Sequence, residues 1–373
     1  MPAADLDVLR RYAIARTLFA PTTLARAVHQ LGFIQADPIR APARAQDLTL
    51  RHRVKNYRAG DLERSYPELD VEEDFFVNYG FVTRDLYAQM HPRSGFRRAW
   101  DAATKRRAAQ LLKFVRERGT VHPREVEAHF ALGQVVNYWG GQSSATTHLL
   151  DNMHYRGLLR VVRRDRGVRV YTAVPRRPPL RSAREQNARV DRLIDLVVQV
   201  YAPLPRLSLN QLVSRLRLAA PQWQPQLKAG LARARERLAH AEIAGTTWYW
   251  PAAEQPASPR HQGHTADERV RLLAPFDPLV WDRRRFELLW GWAYRFEAYT
   301  PPPKRKLGYY ALPLLWRDQV VGWGNIKVRD GALVSDIGFV KRRPSERAFT
   351  RELDAELAHL RRFLGAEELN TSA

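Results

Sequence analysis

The stretch that most narrows the fold is Leu158-Leu159-Arg160-Val161-Val162-Arg163-Arg164-Asp165-Arg166-Gly167-Val168-Arg169-Val170-Tyr171. Two β-branched runs interrupted at Asp165-Arg166-Gly167 predict a hairpin, because that interruption suits a tight turn between paired strands. Ahead of it, apolar spacing predicts helices over residues 103–118 and 123–130, and a third over 144–155 capped by Ser144. Three helices followed by a two-stranded hairpin is the winged-helix order. Arg160, Arg163, Arg164, Arg166 and Arg169 crowd the hairpin against one acid, Asp165. A solvated rim is often charged, but a bias this strong favours contact with DNA phosphates.

The same order recurs on either side. After a stiff basic linker over residues 176–181, Val190, Leu193, Ile194, Val197 and Val198 mark one helix. A short helix over 208–216, a third over 222–239 and a hairpin around Gly245 follow. At the start of the chain, Leu6, Leu9 and Ala13 mark a first helix, and Leu24, Val28 and Leu31 a second. A short strand comes next, then a helix over 40–54 that makes Arg40, Arg44, Arg51 and Arg53 available to a phosphate backbone. The aromatic run over 72–87 predicts a strand or buried segment. Beyond a polar linker over 253–267 the character changes to strands over 271–273, 307–315, 319–328 and 332–340. Leu353, Leu357, Leu360 and Leu364, with Ser345 as cap, close the chain in a helix. The expected fold is therefore α+β: tandem winged-helix domains over 1–100, 101–180 and 181–258, then a small β-barrel-like domain with a terminal helix over 265–373.

Charge says what such a chain meets. Lys and Arg number 61 against 39 Asp and Glu, a net +22, which points to a polyanion, nucleic acid ahead of a membrane surface; with the winged-helix order, double-stranded DNA is the expected partner. There is no cysteine, so disulfides, thiolate zinc sites and iron–sulfur clusters are excluded. Neither an apolar leader nor a membrane-length run is visible, and a cytoplasmic, nucleoid-associated monomer is expected. A P-loop, a dinucleotide glycine fingerprint and a nucleophile elbow are all missing. The 11 histidines are scattered, and His52, His148, His154 and His264 read as surface or capping residues, so no metal and no cofactor is expected. Asp277 and Asp282 read as parts of an Asp–Arg turn network. The loop Lys304-Arg305-Lys306 suits either phosphate or solvent.

Chemistry is concentrated in Phe33-Ile34-Gln35-Ala36-Asp37-Pro38. Alternation predicts a short strand that Pro38 stops, with Gln35 and Asp37 on one face. A carboxamide beside a carboxylate can hold a water, Gln35 orienting it and Asp37 taking its proton. The plainer alternative is a wet strand edge that caps the next helix.

Leu31-Gly32-Phe33-Ile34-Gln35-Ala36-Asp37-Pro38-Ile39, with Arg44-Ala45, resembles the AlkZ/YcaQ family of bacterial DNA glycosylases. A second similar stretch runs Pro275-Phe276-Asp277-Pro278-Leu279-Val280-Trp281-Asp282-Arg283, continuing through Tyr294-Arg295-Phe296-Glu297-Ala298-Tyr299 and Pro303-Lys304-Arg305-Lys306-Leu307-Gly308-Tyr309-Tyr310. The resemblance implies tandem winged helices in a curved arrangement followed by a small β-domain. It also implies a Gln-x-Asp motif, here Gln35 and Asp37, that activates water against the N-glycosidic bond of N7-alkylguanine or of cross-links made from it. A monofunctional glycosylase in DNA repair is the expectation, with a non-catalytic winged-helix DNA binder or regulator as the alternative. Ala43, Gln46 and Asp47 stand where the relatives commonly carry glutamate and histidines, which implies a distinct branch.

Overall fold

The computed structural model describes residues 5–96, 99–136, 141–175, 178, 180, 182–263 and 267–366. These fall into two compact units, each assembled from discontinuous chain. The first takes Met1–Leu62, Ile194–Val213 and Leu231–Ala373, and the second Glu63–Leu193 and Ser214–Gly230. This division crosses the four consecutive stretches expected from sequence. The basic linker lies largely outside the described residues, as does His264.

In the first unit, the helix Leu6–Thr17 is capped by the Asp5 carboxylate and the helix Leu24–Leu31 by the Thr23 hydroxyl. Gly32 ends the latter at φ +69°, where a Cβ would come within 2.9 Å of Leu196 Cδ1. The strand Phe33–Gln35 follows at once and is buried throughout. The helix expected over 40–54 shrinks to Ala45–Leu50. Pro42 explains the loss, because the residue before a proline is pushed out of the α region, and Arg44 is still extended at φ −68°, ψ 153°.

The C-terminal part of this unit is an antiparallel four-stranded sheet ordered Val270–Leu272, Leu312–Trp316, Gln319–Arg329, Ala332–Phe339. The helix Arg347–Leu364 buries Phe349, Leu353, Leu360 and Phe363; its cap is Glu346 rather than Ser345, with no side-chain capping bond. Two buried ion pairs hold the unit together. Arg51 meets Glu356 at 2.5 Å and Arg53 meets Asp277 at 2.8 Å.

The second unit contains the helices Ala102–Arg118, Pro123–Phe130 and Ala145–Tyr155, then the hairpin of Leu159–Asp165 and Val168–Ala173. That is the order expected from sequence, with Thr120–Val121 added as a third strand beside Val168–Ala173. The aromatic run resolves into a second hairpin, Val71–Phe75 against Tyr79–Thr83. At its core Asp74 takes hydrogen bonds from Arg93 at 2.6 Å and from His91 at 2.7 Å. Arg93 Nε in turn donates to the Ala219 carbonyl at 2.6 Å.

Candidate active site and nucleic-acid interface

Gln35 is 5% exposed, and its Oε1 has no hydrogen-bond partner. A buried amide oxygen left bare is costly unless a ligand or water meets it. Two residues on, the Asp37 carboxylate is half-buried and accepts from the Ile39 amide at 2.9 Å. That is an Asx turn, so Asp37 does not cap the next helix, which starts eight residues later at Ala45. The Asp37 amide reaches the buried Gln46 Oε1 at 3.5 Å.

Burial raises the Asp37 pKa, and the Ile39 amide only partly offsets it. Among the described residues no cation pairs with this carboxylate. Two tyrosines from the distant segment feel its charge: Tyr299 and Tyr310 are each raised by burial first and by Asp37 second. Tyr310 is 3% exposed and its hydroxyl has no partner. Ring contacts carry the segment to this place, with Phe296 edge-on to Phe276 at 5.1 Å and to Tyr310 at 5.2 Å. The unpaired Asp37 carboxylate and the bare Tyr310 phenol thus belong to one neighbourhood, and the bare Gln35 amide oxygen comes two residues before Asp37 in the chain.

Tyr310 also lines a 670 Å³ cleft with Arg40, Pro42, Tyr309, Lys327 and Arg329. Arg40, Lys327 and Arg329 are exposed and outnumber the one acid in the lining, Asp336, so the cleft has a net positive wall that suits a phosphate backbone.

The other arginines expected to face DNA are placed differently. Arg51 and Arg53 are 1% and 0% exposed, and their guanidiniums are taken by Glu356 and Asp277. A charge buried this deeply must be paired inside the protein. Arg44 is half-buried. On the hairpin, Arg160 donates to Glu72 at 2.9 Å and Arg164 to Glu73 at 2.6 Å. Arg169 donates to Asp151 at 2.7 Å and lies over the Tyr79 ring at 4.5 Å. Arg163 is exposed and pairs with Asp165 at 3.2 Å, while Arg166 is exposed at the turn. The bias toward arginine on the hairpin is balanced by acids elsewhere in the same unit, which hairpin sequence alone does not reveal.

Other expectations change with burial. His52 and His154 are buried, at 8% and 3% exposure, instead of lying at the surface. Asp47 accepts from the Tyr57 hydroxyl at 2.8 Å and the Gly60 amide at 3.0 Å, a structural role. Asp277 pairs with Arg53, and Asp282 caps the helix Arg283–Trp290. Sequence reasoning missed Tyr299, Tyr310, Lys327 and Arg329 as site residues. The available signal was the Tyr309-Tyr310 pair inside the second similar stretch, and two cations on alternate positions of one strand. Among the described residues no three His, Asp or Glu side chains gather as a metal-binding group, and no helix is long and apolar enough to cross a membrane.

A family model described as DNA glycosylase AlkZ-like matches residues 28–363. Among solved structures, the DNA glycosylase AlkZ of Streptomyces sahachiroi is similar to this chain over 98% of each, with a TM-score of 0.60 at 15% identity. At that identity the likeness concerns the fold.

Proposed function

The chain belongs to the AlkZ-like DNA glycosylase family, and from that premise we propose that it hydrolyses the N-glycosidic bond of N7-alkylguanine, with Asp37 and Gln35 handling the water. Membership makes it a DNA-binding glycosylase of DNA repair. The observation that carries the finer reading is the unpaired, half-buried Asp37 carboxylate, whose charge reaches Tyr310 in the wall of a cleft lined by Arg40, Lys327 and Arg329, with the bare Gln35 Oε1 two residues before it in the chain.

Alkylation at N7 gives the base a fixed positive charge. The C1′–N9 bond can then break with its electron pair going to the base, which leaves neutral and needs no general acid. The sugar left behind has oxocarbenium character, which an ionised Asp37 stabilises. Gln35 Oε1 accepts one hydrogen of the incoming water, the water oxygen bonds to C1′, and its second proton passes to Asp37. The products are an abasic sugar and a free base.

No lysine enters this scheme, so the activity is monofunctional. The helix–hairpin order over residues 102–173 and again over 183–250 supports winged-helix modules that hold duplex DNA. The protein acts as a monomer, and interstrand cross-links built on N7 of guanine fall within the same chemistry.

The test is incubation with duplex DNA carrying N7-methylguanine, followed by measurement of abasic sites and released base. Excision that survives EDTA and leaves no borohydride-trapped protein on DNA supports the reading. Tight DNA binding with no excision would return the chain to a non-catalytic winged-helix binder.

A further inference from the structure

Lys304, Arg305 and Lys306 are three consecutive cations in the first unit, and the chemistry above makes no use of them. Lys304 and Lys306 are exposed and Arg305 is half-buried. Among the described residues no carboxylate forms an ion pair with any of the three. Side chains alone would make this a solvated loop.

Its backbone is held on every side. Pro301, Pro302 and Pro303 lead into it with φ fixed by their rings. The Lys304 and Arg305 amides close turns on the Pro301 and Pro302 carbonyls at 2.9 and 3.2 Å. Glu297, 5% exposed, accepts from the amides of Lys306 and Leu307 through one carboxylate oxygen, at 2.8 and 2.7 Å. Asn325, from the strand Gln319–Arg329, donates to the Leu307 carbonyl at 2.8 Å. That approach is so close that Gly308, at φ +113°, has no room for a Cβ beside the Asn325 amide. The Arg305 guanidinium is aimed too, with Nε donating to the Thr300 carbonyl at 2.7 Å and the group lying 5.0 Å over the Tyr309 ring.

Burying a carboxylate to hold a loop carries a desolvation cost. The gain that offsets it is preorganisation, because fixed cations lose less conformational freedom when an anion arrives. The loop's own continuation says which anion. It runs directly into Gly308, Tyr309 and Tyr310, which line the 670 Å³ cleft with Arg40, Lys327 and Arg329.

We propose that Lys304, Arg305 and Lys306 form a preorganised clamp for neighbouring backbone phosphates of the DNA that enters this cleft, with Glu297 as the residue that positions it. The clamp rests on the reading of the chain as a DNA-binding glycosylase, and it is independent of the chemistry at Asp37.

The experiment is fluorescence anisotropy of the full chain with a short, labelled, undamaged DNA duplex across a potassium chloride series. No base is excised from that probe, so the outcome does not depend on Gln35 or Asp37. In the double variant Lys304→Ala, Lys306→Ala the slope of log K against log salt should become shallower by about 1.8, if each lysine neutralises one phosphate. An unchanged slope, with N7-methylguanine still excised, would overturn the clamp and leave the glycosylase reading standing; a shallower slope in a chain that excises nothing would do the reverse. Glu297→Leu tests the positioning role by sign. Loss of a negative charge by itself favours DNA, so binding as tight as in the unaltered chain, or tighter, would overturn that role. The expected result is binding weaker by about three- to tenfold, with a melt showing a folded protein. If Glu297→Leu fails to fold, Gly308→Ala replaces it. That variant displaces the loop from the Asn325 side without changing any charge, and the same weakening is expected; unchanged affinity would overturn the need for a fixed loop.

Discussion

Arg53 and Asp277 meet through two parallel hydrogen bonds, Nη1 to Oδ2 at 2.8 Å and Nη2 to Oδ1 at 3.0 Å, and neither side chain is exposed. The pair ties the segment just after the Gln35–Asp37 motif to the segment that leads to Tyr299 and Tyr310. Arg53 also donates to the Thr17 carbonyl at 2.6 Å and the Thr49 carbonyl at 2.6 Å, so four of its five N–H groups are met inside the fold. The two stretches that carry the family resemblance, distant in sequence, thus belong to one packed arrangement.

Removing one member of that pair leaves an uncompensated buried charge. Arg53→Met should therefore lower stability by about 3–5 kcal/mol. The double variant Arg53→Met, Asp277→Leu should recover a good part of the loss, because an apolar pair of similar volume avoids the desolvation cost. Urea unfolding of the three proteins checks this, and a double variant no better than the single would show that the pair contributes more than charge compensation.

Asp37→Asn keeps the shape of the side chain and its hydrogen bond from Ile39 but removes the charge. Single-turnover excision of N7-methylguanine should fall by about 10²–10⁴-fold with DNA affinity nearly unchanged. Gln35→Ala should also slow the reaction, through lost positioning of the water. Full activity in Asp37→Asn would remove the catalytic reading of the motif.

The raised pKa of Asp37 has a definite sign in both activity and stability. Excision requires the ionised form, so the acidic limb of the rate profile should lie above the ordinary aspartate value of 3.8 and vanish in Asp37→Asn. A carboxyl whose folded pKa exceeds its unfolded one contributes a stabilisation that is fully present below the unfolded value and is lost as pH rises through the folded pKa. At neutral pH the Asp37 charge therefore opposes folding, and Asp37→Asn should melt no lower than the unaltered protein. A marked drop in melting temperature would make the residue structural.

The DNA footprint should follow free cations rather than the count of arginines. Replacing Arg40, Lys327 and Arg329 with Ala removes three exposed charges, and the slope of log K against log salt should become shallower by about 2.7 if each neutralises one phosphate. Arg164→Ala should instead lower stability, because it takes from the buried Glu73 carboxylate its partner at 2.6 Å and leaves it only Arg169 at 3.4 Å and the Tyr79 hydroxyl. Filter binding across a salt series, with a melt of each variant, separates the two effects. An unchanged slope in the triple variant would place the footprint elsewhere.

Local pattern alone determined a good deal of this protein. The hairpin at Asp165-Arg166-Gly167, the three helices before it, the strand ended near Pro38 and the terminal leucine helix follow from turn chemistry and apolar periodicity. These are interactions between near neighbours in the chain, and so they can be read from it. The Gln35–Asp37 motif was visible for the same reason. Tertiary structure decided which charges remain free. Arg51 and Arg53 look like surface cations until Glu356 and Asp277 arrive from hundreds of residues away, and Arg160, Arg164 and Arg169 look so until Glu72, Glu73 and Asp151 fold against them from earlier in the chain. Whether Asp37 is paired, and whether Tyr310 stands near it, likewise depends on packing between distant segments, because electrostatic energy follows separation in space and burial, not separation in sequence.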